Sequence, residues 1–375
     1  MTPVAQRIEW VTDRNRFATL ADAWYRLTAG DAPPFGDYAW FAAWWEAFGF
    51  DGTLRTCLLW RGDELCAALP LAARGSWVRA LANTETPAFI APAHDDDALE
   101  AVVEAAFDAQ PDELTIHAVR NSDALREAFA KASARRQRVL LEERVHRSPR
   151  VELDGDFELY SSNRKSRLRN IIKQGRQLAR DHAVEFRFTR PADLEAELQR
   201  AFNLEGSGWK QRARSAILSS TQLTTFYRTL ARAYDARGEL RFAWLDVDGA
   251  PAAFVLTVVR AGRVYGLKGG YDERLRRYSP GLFLLLCTIE RCFELGLASY
   301  ELLGDEDPWK AYFANAAAEH VRLRSFRRRP LALSRYAAHR VGRPVMRRLL
   351  STPTAKKPLR PAANRMRNPP SWRPL

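Results

Sequence analysis

The sequence predicts an α/β (α+β) fold of two tandem units, each a mixed, mostly antiparallel sheet flanked by helices, followed by a basic C-terminal tail. Three observations support this fold class. The 375 residues are enough for two or three domains, since a domain takes roughly 100–200 residues. The order helix, meander of strand-like runs, helix, strand occurs twice. Hydrophobic residues make up 46% of the chain and include 11 Trp, which excludes a disordered or fibrous protein.

The first unit is expected over residues 1–155. A strand at 7–11 and a helix at 17–27 begin it. The aromatic residues of 38–50 recur at helical spacing, which predicts a helix with a buried face. Arg61-Gly62-Asp63 then joins two strands as a hairpin turn. The remaining predicted elements are a strand at 78–82, a helix at 97–109, a strand at 114–119, a helix at 122–134 and a strand at 139–151.

The second unit is expected over residues 156–329. It opens with a long helix at 159–180 that carries seven basic and no acidic residues, so its exposed face is either simply solvated or binds an anionic donor, acceptor or RNA. The other predicted elements are strands at 183–188, 240–247, 250–260, 263–269, 299–303 and 318–327, and helices at 193–204, 221–237 and 281–295.

The positive charge of the chain is concentrated in its last residues. The formal net charge is +13, yet 16 of the 58 Lys and Arg residues lie in 320–375, which contains no Asp or Glu. For the tail, 330–375, we expect a basic amphipathic helix at 331–350, interrupted at Gly342-Arg343-Pro344, and a disordered segment after it. Such a tail either solubilises the protein or contacts an anionic membrane surface, a synthase or RNA.

The expected cellular location of the protein and its expected lack of a metal rest on motifs that the sequence does not contain. The four cysteines have no zinc-site spacing, His94 has no ligand partner at metal spacing, and neither a signal peptide nor a membrane span is predicted. We therefore expect buried reduced thiols, no metal and a cytoplasmic protein, which lies peripherally at the inner membrane face if the tail contacts the membrane rather than solubilising the protein.

The most informative segment is residues 264–296. A strand ends at Lys268-Gly269-Gly270, and a basic loop then leads into a helix. Ser279 is a candidate N-cap and Pro280 suits the first helical position, while Gly281 allows a group to approach the backbone. Free N–H groups at a helix start, with arginines beside them, suit a pyrophosphate. A capped helix with a solvated basic loop is the alternative.

The motifs Tyr271-Asp272, Arg277-Tyr278-Ser279-Pro280-Gly281, Gly304-Asp305 and Trp309-Lys310, in this order, resemble the cellulose-biosynthesis CelD family, whose domain is a GNAT-type acetyltransferase domain. Trp40-Phe41 and Glu205 with Gly208-Trp209-Lys210 add to the resemblance, which covers about residues 10–325. The family is akin to the FemAB peptidyl transferases, which fuse two GNAT-like units. The sequence departs from the superfamily's phosphate loop at Tyr278 and Phe283.

The resemblance implies an acyl-CoA donor, such as acetyl-CoA, and direct transfer without a covalent enzyme intermediate. The implied donor-binding residues are Arg276, Arg277, Tyr278, Ser279, Pro280 and Gly281. The candidate catalytic residues are Glu205 and Asp305 as general bases, Tyr271 as a late acid and Lys310 as a substrate clamp. The expected substrate-binding residues are Trp209, Lys210, Lys268 and Trp309. Helix-end or solvated roles remain open for both carboxylates, and packing roles remain open for Tyr271 and Tyr278.

The leading hypothesis is an N- or O-acyltransferase acting on an amine or hydroxyl of a sugar or an envelope or exopolysaccharide precursor. One alternative is a FemAB-like transferase that takes an aminoacyl group from tRNA, the one nucleic acid expected as a partner. The other is a non-catalytic GNAT-like module that partners a polysaccharide synthase.

Overall fold

The computed structural model of the protein describes residues 5–207 and 216–351, with side chains described up to residue 340. Its strands are β1 Gln6–Val11, β2 Thr53–Leu54, β3 Thr56–Arg61, β4 Glu64–Leu69, β5 Leu71–Arg74, β6 Trp77–Ala80, β7 Glu113–Arg120, β8 Val139–Glu152, β9 Val184–Thr189, β10 Leu240–Val247, β11 Ala250–Arg260, β12 Arg263–Tyr271, β13 Ser299–Glu301 and β14 Ala316–Phe326. Its α-helices are α1 Arg14–Ala18, α2 Ala21–Leu27, α3 Tyr38–Phe48, α4 Asp96–Asp108, α5 Ala124–Arg135, α6 Phe157–Asn163, α7 Lys165–Asp181, α8 Leu194–Gly206, α9 Thr221–Ala236, α10 Pro280–Glu294 and α11 Pro330–Ser351.

One sheet runs through both expected units. Its strand order is β2-β5-β6-β7-β14-β8-β13-β12-β11-β10-β9, and β1, β3 and β4 form a smaller sheet. Most neighbouring strands are antiparallel, with parallel pairs at β6–β7 and β12–β13. The mixed, mostly antiparallel character predicted from the hairpins is therefore present.

Strand β14 lies far from its neighbours in sequence. It pairs with both β7 and β8 of the first unit, and the end of β8 pairs in turn with β13 of the second. Hydrogen bonding thus crosses the unit boundary expected near residue 155, which itself stays a prediction.

The two faces of the first unit's sheet differ in polarity. Leu114 and Ile116 of β7 and Leu323 of β14 belong to the same buried cluster as Leu125 and Phe129 of α5. Because side chains alternate along a strand, the residues between them point to the opposite face. That face carries charged and polar side chains and borders the site described below.

Three local expectations need correction or confirmation. The predicted helix at 159–180 is divided at Arg164, which leaves helical geometry (φ −119°, ψ 11°) where Tyr160 is anchored by a 2.8 Å hydrogen bond to the Phe313 carbonyl. Helix α11 runs on past the interruption predicted at Gly342-Arg343-Pro344, although a proline inside a helix removes one backbone hydrogen bond. The four cysteines form no disulfide, and Cys57, Cys66 and Cys292 are buried.

None of the described helices is long and apolar enough to cross a bilayer.

Candidate active site

Two parallel strands separate near the centre of the large sheet. β12 and β13 pair over three residues each, ending at Tyr265 and Glu301. β12 continues to Tyr271, whereas the chain after β13 turns away through left-handed Leu303 (φ 51°) and Gly304 (φ 60°). Within the described ranges no strand pairs with this edge of β12 beyond Tyr265. The result is a wedge bordered by strand backbone, which carries strong hydrogen-bonding groups.

A cavity of about 390 Å³ opens at this wedge. The second unit contributes Lys268 from β12 and Gly304 and Asp305 from the turn after β13. The first unit contributes polar side chains from a loop and from its sheet, namely Glu85, His117 and His146. We call this space the central cavity; it is lined by residues from both units.

Glu85 is the centre of a hydrogen-bonded cluster in the central cavity. Lys268 Nζ donates to Glu85 Oε2 at 3.1 Å, and the Tyr227 hydroxyl donates to the same oxygen at 2.7 Å. The Glu85 and Lys268 side chains are only 12% and 11% exposed. Burial, with Glu85 beside it, raises the pKa of Tyr227 well above its usual value, so the hydroxyl stays protonated and donates. The cluster fixes one cation and one anion at the cavity wall.

Two histidines stack beside this cluster. The rings of His146 and His320 lie 4.7 Å apart at 31°. His146 Nε2 lies 2.8 Å from the Pro87 carbonyl oxygen, so Nε2 carries the proton and Nδ1 is left as an acceptor. Burial lowers the pKa of His146 and lowers that of His320 to about 3. Both rings are therefore neutral near pH 7, and His146 lines the central cavity.

Lys310 does not have the position expected of a substrate clamp. Its side chain is fully buried (0% exposed), and Nζ donates to the carbonyl oxygens of Leu303 at 2.6 Å and Asp305 at 2.8 Å. Burial lowers its pKa to about 8, against the opposing charges of Asp307 and Asp305. A clamp needs an amine that reaches the ligand, whereas this amine ties down the turn that carries Asp305 into the central cavity.

Other predicted residues lie outside the cavity lining. Glu205 is buried and accepts a 2.8 Å hydrogen bond from the Ile217 backbone N–H. Trp309 is buried in the same cluster as Phe313, so it is a core residue rather than a substrate contact. Tyr271 is half-buried at the end of β12, and burial raises its pKa. Trp209 and Lys210 lie outside the described residues. Of the predicted catalytic and substrate residues, the structure brings Asp305 and Lys268 together at the central cavity.

The segment from β12 to α10, Glu273 to Gly281, is here called the donor loop. Arg276 and Arg277 are exposed on its 3-10 turn, and Pro280 occupies the first turn of α10 as predicted. The predicted Ser279 side-chain cap is wrong. Ser279 is left-handed (φ 51°) and its side chain makes no cap hydrogen bond. The start of α10 is therefore not capped by a side chain, which leaves its N–H groups for an anion.

Tyr278 joins the donor loop to the basic helix α7. Its ring is buried rather than open to a ligand, and its hydroxyl donates to Asp181 at 2.7 Å and contacts the Arg277 guanidinium. Gln174 Nε2 also donates to the Arg277 carbonyl oxygen at 3.1 Å. The two basic segments that the sequence indicates, in α7 and in the donor loop, are thus neighbours.

Phe283, where the superfamily pattern has a small residue, packs on Gly175 of α7. A Cβ on Gly175 would lie 2.2 Å from the Phe283 ring. The departure from the phosphate-loop pattern is therefore matched by a glycine on the facing helix.

A second cluster contains residue types that can bind a metal. It includes His94, for which the sequence analysis found no second metal ligand. Glu64, Cys66 and His94 place their ligand atoms within 4.8 Å of one another. Burial raises the pKa of the Cys66 thiol, which opposes the thiolate that a metal requires. We propose no metal there.

The sequence analysis did not identify four residues of the site, namely Glu85, Tyr227, His146 and His320. One signal was available. Alternate positions of β7 and β14 are polar, namely Glu113, Thr115 and His117, and His320, Arg322 and Arg324. A strand with one polar face borders solvent or a site.

Comparisons with known proteins agree with this geometry. Residues 165–311 match the family model described as Acetyltransferase (GNAT) domain. This range begins with α7 and includes the wedge and the donor loop. This part of the chain is therefore similar to a GNAT acetyltransferase domain, and the similarity suggests acyltransferase activity. No curated protein matches the sequence.

Solved structures share the architecture at low sequence identity. The C-terminal domain (DUF2156) of a putative lysylphosphatidylglycerol synthetase from Agrobacterium fabrum has a TM-score of 0.56 at 15% identity, covering 86% of this chain and 96% of that one. FemX has a TM-score of 0.53 at 12% identity, with coverages of 86% and 98%. A conserved protein of unknown function from Bacteroides thetaiotaomicron has a TM-score of 0.52 at 12% identity, covering 86% of this chain and 100% of that one. These likenesses confirm the predicted fold class. The narrower resemblance to the CelD family stays a prediction.

Proposed function

We propose that the protein is an acyltransferase that moves an acyl group from acyl-CoA to an amine or hydroxyl acceptor. The observation that carries this proposal is the wedge between β12 and β13. β12 leads directly into the donor loop, and the central cavity opens at the wedge itself. A donor held by the loop would therefore deliver its acyl group beside the cavity, as in-line transfer requires.

The donor loop offers the elements that a pyrophosphate needs. The start of α10 presents N–H groups at Gly281, and Arg276 and Arg277 are exposed beside it. In this proposal the thioester arm follows the edge of β12 into the wedge, where a backbone N–H polarises the carbonyl.

The chemistry follows from the groups around the central cavity. The acceptor nitrogen or oxygen attacks the thioester carbon, and the C–S bond breaks as the new bond forms. His146 Nδ1 accepts the acceptor's proton, and CoA leaves as a thiolate that takes a proton from solvent. Asp305 is the second candidate base, and Glu85 with Lys268 orients the acceptor. Lys310 acts as a positioning residue for Asp305.

The donor site can be tested by calorimetry with acetyl-CoA. A hydrogen bond to a charged group contributes about 1.5–3 kcal/mol, so Arg276→Ala with Arg277→Ala should weaken binding by about tenfold or more. Arg291→Ala is the matched control, because Arg291 is exposed near the other end of α10 and pairs with Glu294. Unchanged affinity in the double variant would reject the donor site.

Transfer of an aminoacyl group from tRNA is the second candidate. The observation that favours it is the exposed basic face of α7 beside the donor loop. Its exposed cations are Lys165, Arg167, Arg169, Lys173, Arg176 and Arg180. Replacing Arg169 and Arg176 by Glu should abolish binding of charged tRNA if tRNA is the donor, and should leave acetyl-CoA binding almost unchanged if it is not.

The acceptor remains a proposal: a sugar or an envelope polysaccharide precursor, by the family resemblance. A cytoplasmic location at the inner membrane face and a role of the tail in it are likewise proposals. Liposome co-sedimentation of the full chain against a truncation after Arg329 tests them, and equal binding by both would reject anchoring by the tail.

A further inference from the structure

A second groove continues from the central cavity across the polar face of the first unit's sheet. Its volume is about 480 Å³. Thr84, His117 and Arg322 line both spaces, so the two adjoin. The groove runs over β5, β6, β7 and β14 towards α11. We call it the arginine groove, after its lining residues Arg74, Arg79, Arg322, Arg324 and Arg335.

The charge of the groove is unbalanced. Five arginines line it against two carboxylates, Asp51 and Glu113. Arg324 and Arg335 bind Glu113 at 2.8 Å and 2.6 Å. Arg74 and Arg79 are exposed at the ends of their strands, and neither has an ion-pair partner among the described residues. A cleft lined mainly by charges of one sign concentrates ligands of the other sign.

The groove is also rigid at one end. Glu113 is buried and accepts from Thr115 at 2.9 Å in addition to both arginines. The Arg335 guanidinium lies 3.7 Å from the centre of the Trp77 ring. Arg324 also bonds Glu143 at 3.1 Å from the neighbouring strand. These contacts hold Arg324 and Arg335 in place before any ligand arrives, which reduces the entropic cost of ordering this end of the groove on binding.

We propose that the arginine groove binds a phosphoryl group of the acceptor, so that the acceptor is a phosphate-bearing molecule whose amine or hydroxyl extends into the central cavity. This rests on the proposed acyl transfer for the role of the bound molecule, but not for the binding itself. Planar guanidinium groups match phosphate oxygens bidentately, and two unpaired arginines leave that capacity open.

The binding test uses inorganic pyrophosphate and calorimetry on the full chain. Arg74→Ala with Arg79→Ala should weaken binding by about tenfold. Arg14→Ala, which removes an exposed arginine of α1, should leave it unchanged. Pyrophosphate can also occupy the donor loop, so the measurement is repeated in the Arg276→Ala, Arg277→Ala background, where groove binding should persist. Equal affinity with and without Arg74 and Arg79 in that background overturns the proposal, even if acetyl-CoA binds.

The kinetic test compares matched acceptors with acetyl-CoA as donor. Glucosamine 6-phosphate against glucosamine, and dihexanoyl phosphatidylethanolamine against ethanolamine, separate a soluble phosphate from a lipid headgroup. One phosphorylated member should be preferred by about tenfold in kcat/KM, and Arg79→Ala should raise its KM with kcat almost unchanged. Turnover without preference for phosphate overturns the proposal. Loss of acetyl-CoA binding alone would instead count against the proposed transfer.

Discussion

Replacing His320 with phenylalanine should reduce the loss of stability that the protein undergoes as the pH falls. His320 is buried on β14, and its Nδ1 has no hydrogen-bond partner among the described residues. Burial, with smaller contributions from His146 and Arg120, lowers its pKa from 6.5 to about 3. The folded protein therefore keeps this imidazole neutral at pH values where the unfolded chain protonates it.

The sign and size follow from this difference. Between about pH 6.5 and 3 the unfolded chain binds more protons than the folded one, so the free energy of unfolding falls as the pH falls. One pKa unit corresponds to about 1.4 kcal/mol, so near pH 5 this residue costs the wild type about 2 kcal/mol. Phenylalanine keeps a ring in the same space and cannot be protonated, so the variant escapes that loss.

Urea unfolding followed by tryptophan fluorescence at pH 7 and pH 5 measures the effect. The difference in free energy of unfolding, His320→Phe minus wild type, should rise by about 2 kcal/mol on acidification. Leu323→Val, a buried and non-titrating change on the same strand, should differ from wild type by the same amount at both pH values. Parallel pH dependence of His320→Phe and wild type would refute the reasoning.

Three further predictions concern the site. Between pH 8 and 10.5, the free energy of unfolding of the wild type should increase relative to that of Lys310→Met by up to about 3 kcal/mol. The reason is that Lys310 keeps its proton in the unfolded chain over this range, whereas the buried lysine, with a pKa of about 8, loses it. Urea unfolding across this range measures the difference. Gly175→Ala should cost about 1–3 kcal/mol by urea unfolding and weaken acetyl-CoA binding, since a Cβ would meet Phe283 at 2.2 Å, whereas Gly206→Ala, with nothing within 4 Å, should do neither. Glu85→Gln should lower acyl transfer by about tenfold while acetyl-CoA affinity, measured by calorimetry, stays the same; full activity would remove Glu85 from the site.

The sequence indicates those parts of the fold that depend on neighbouring residues. The hairpins, the helix periodicity and the donor loop with Pro280 at a helix start follow local rules, and the structure has them. The prediction of a cap at Ser279 was wrong because this serine has a left-handed conformation, which no sequence pattern indicates. Lys310 failed for a different reason. The family resemblance implies a substrate clamp at this position, and only the folded chain shows that the amine donates to backbone carbonyl groups.

The central cavity was harder to predict because its contacts are long-range. Glu85 and Lys268 lie 183 residues apart in sequence, and Glu85 and Tyr227 lie 142 apart. No helical or strand period links such positions. The alternation of polar residues on β7 was visible, but it becomes a site wall only when β14 pairs beside it.

The placement of β14 explains how the central cavity and the arginine groove are connected. The segment from Leu303 to Arg324 contributes first the turn held by Lys310, which carries Asp305 into the central cavity. It then enters the first unit's sheet and adds Arg322 and Arg324 to the arginine groove. A displacement of β14 would therefore move the wall of the arginine groove and, at the same time, strain the turn beside the wedge. The first expected unit thus borders the site through the polar face of its sheet, and β14 connects that face to the turn beside the wedge.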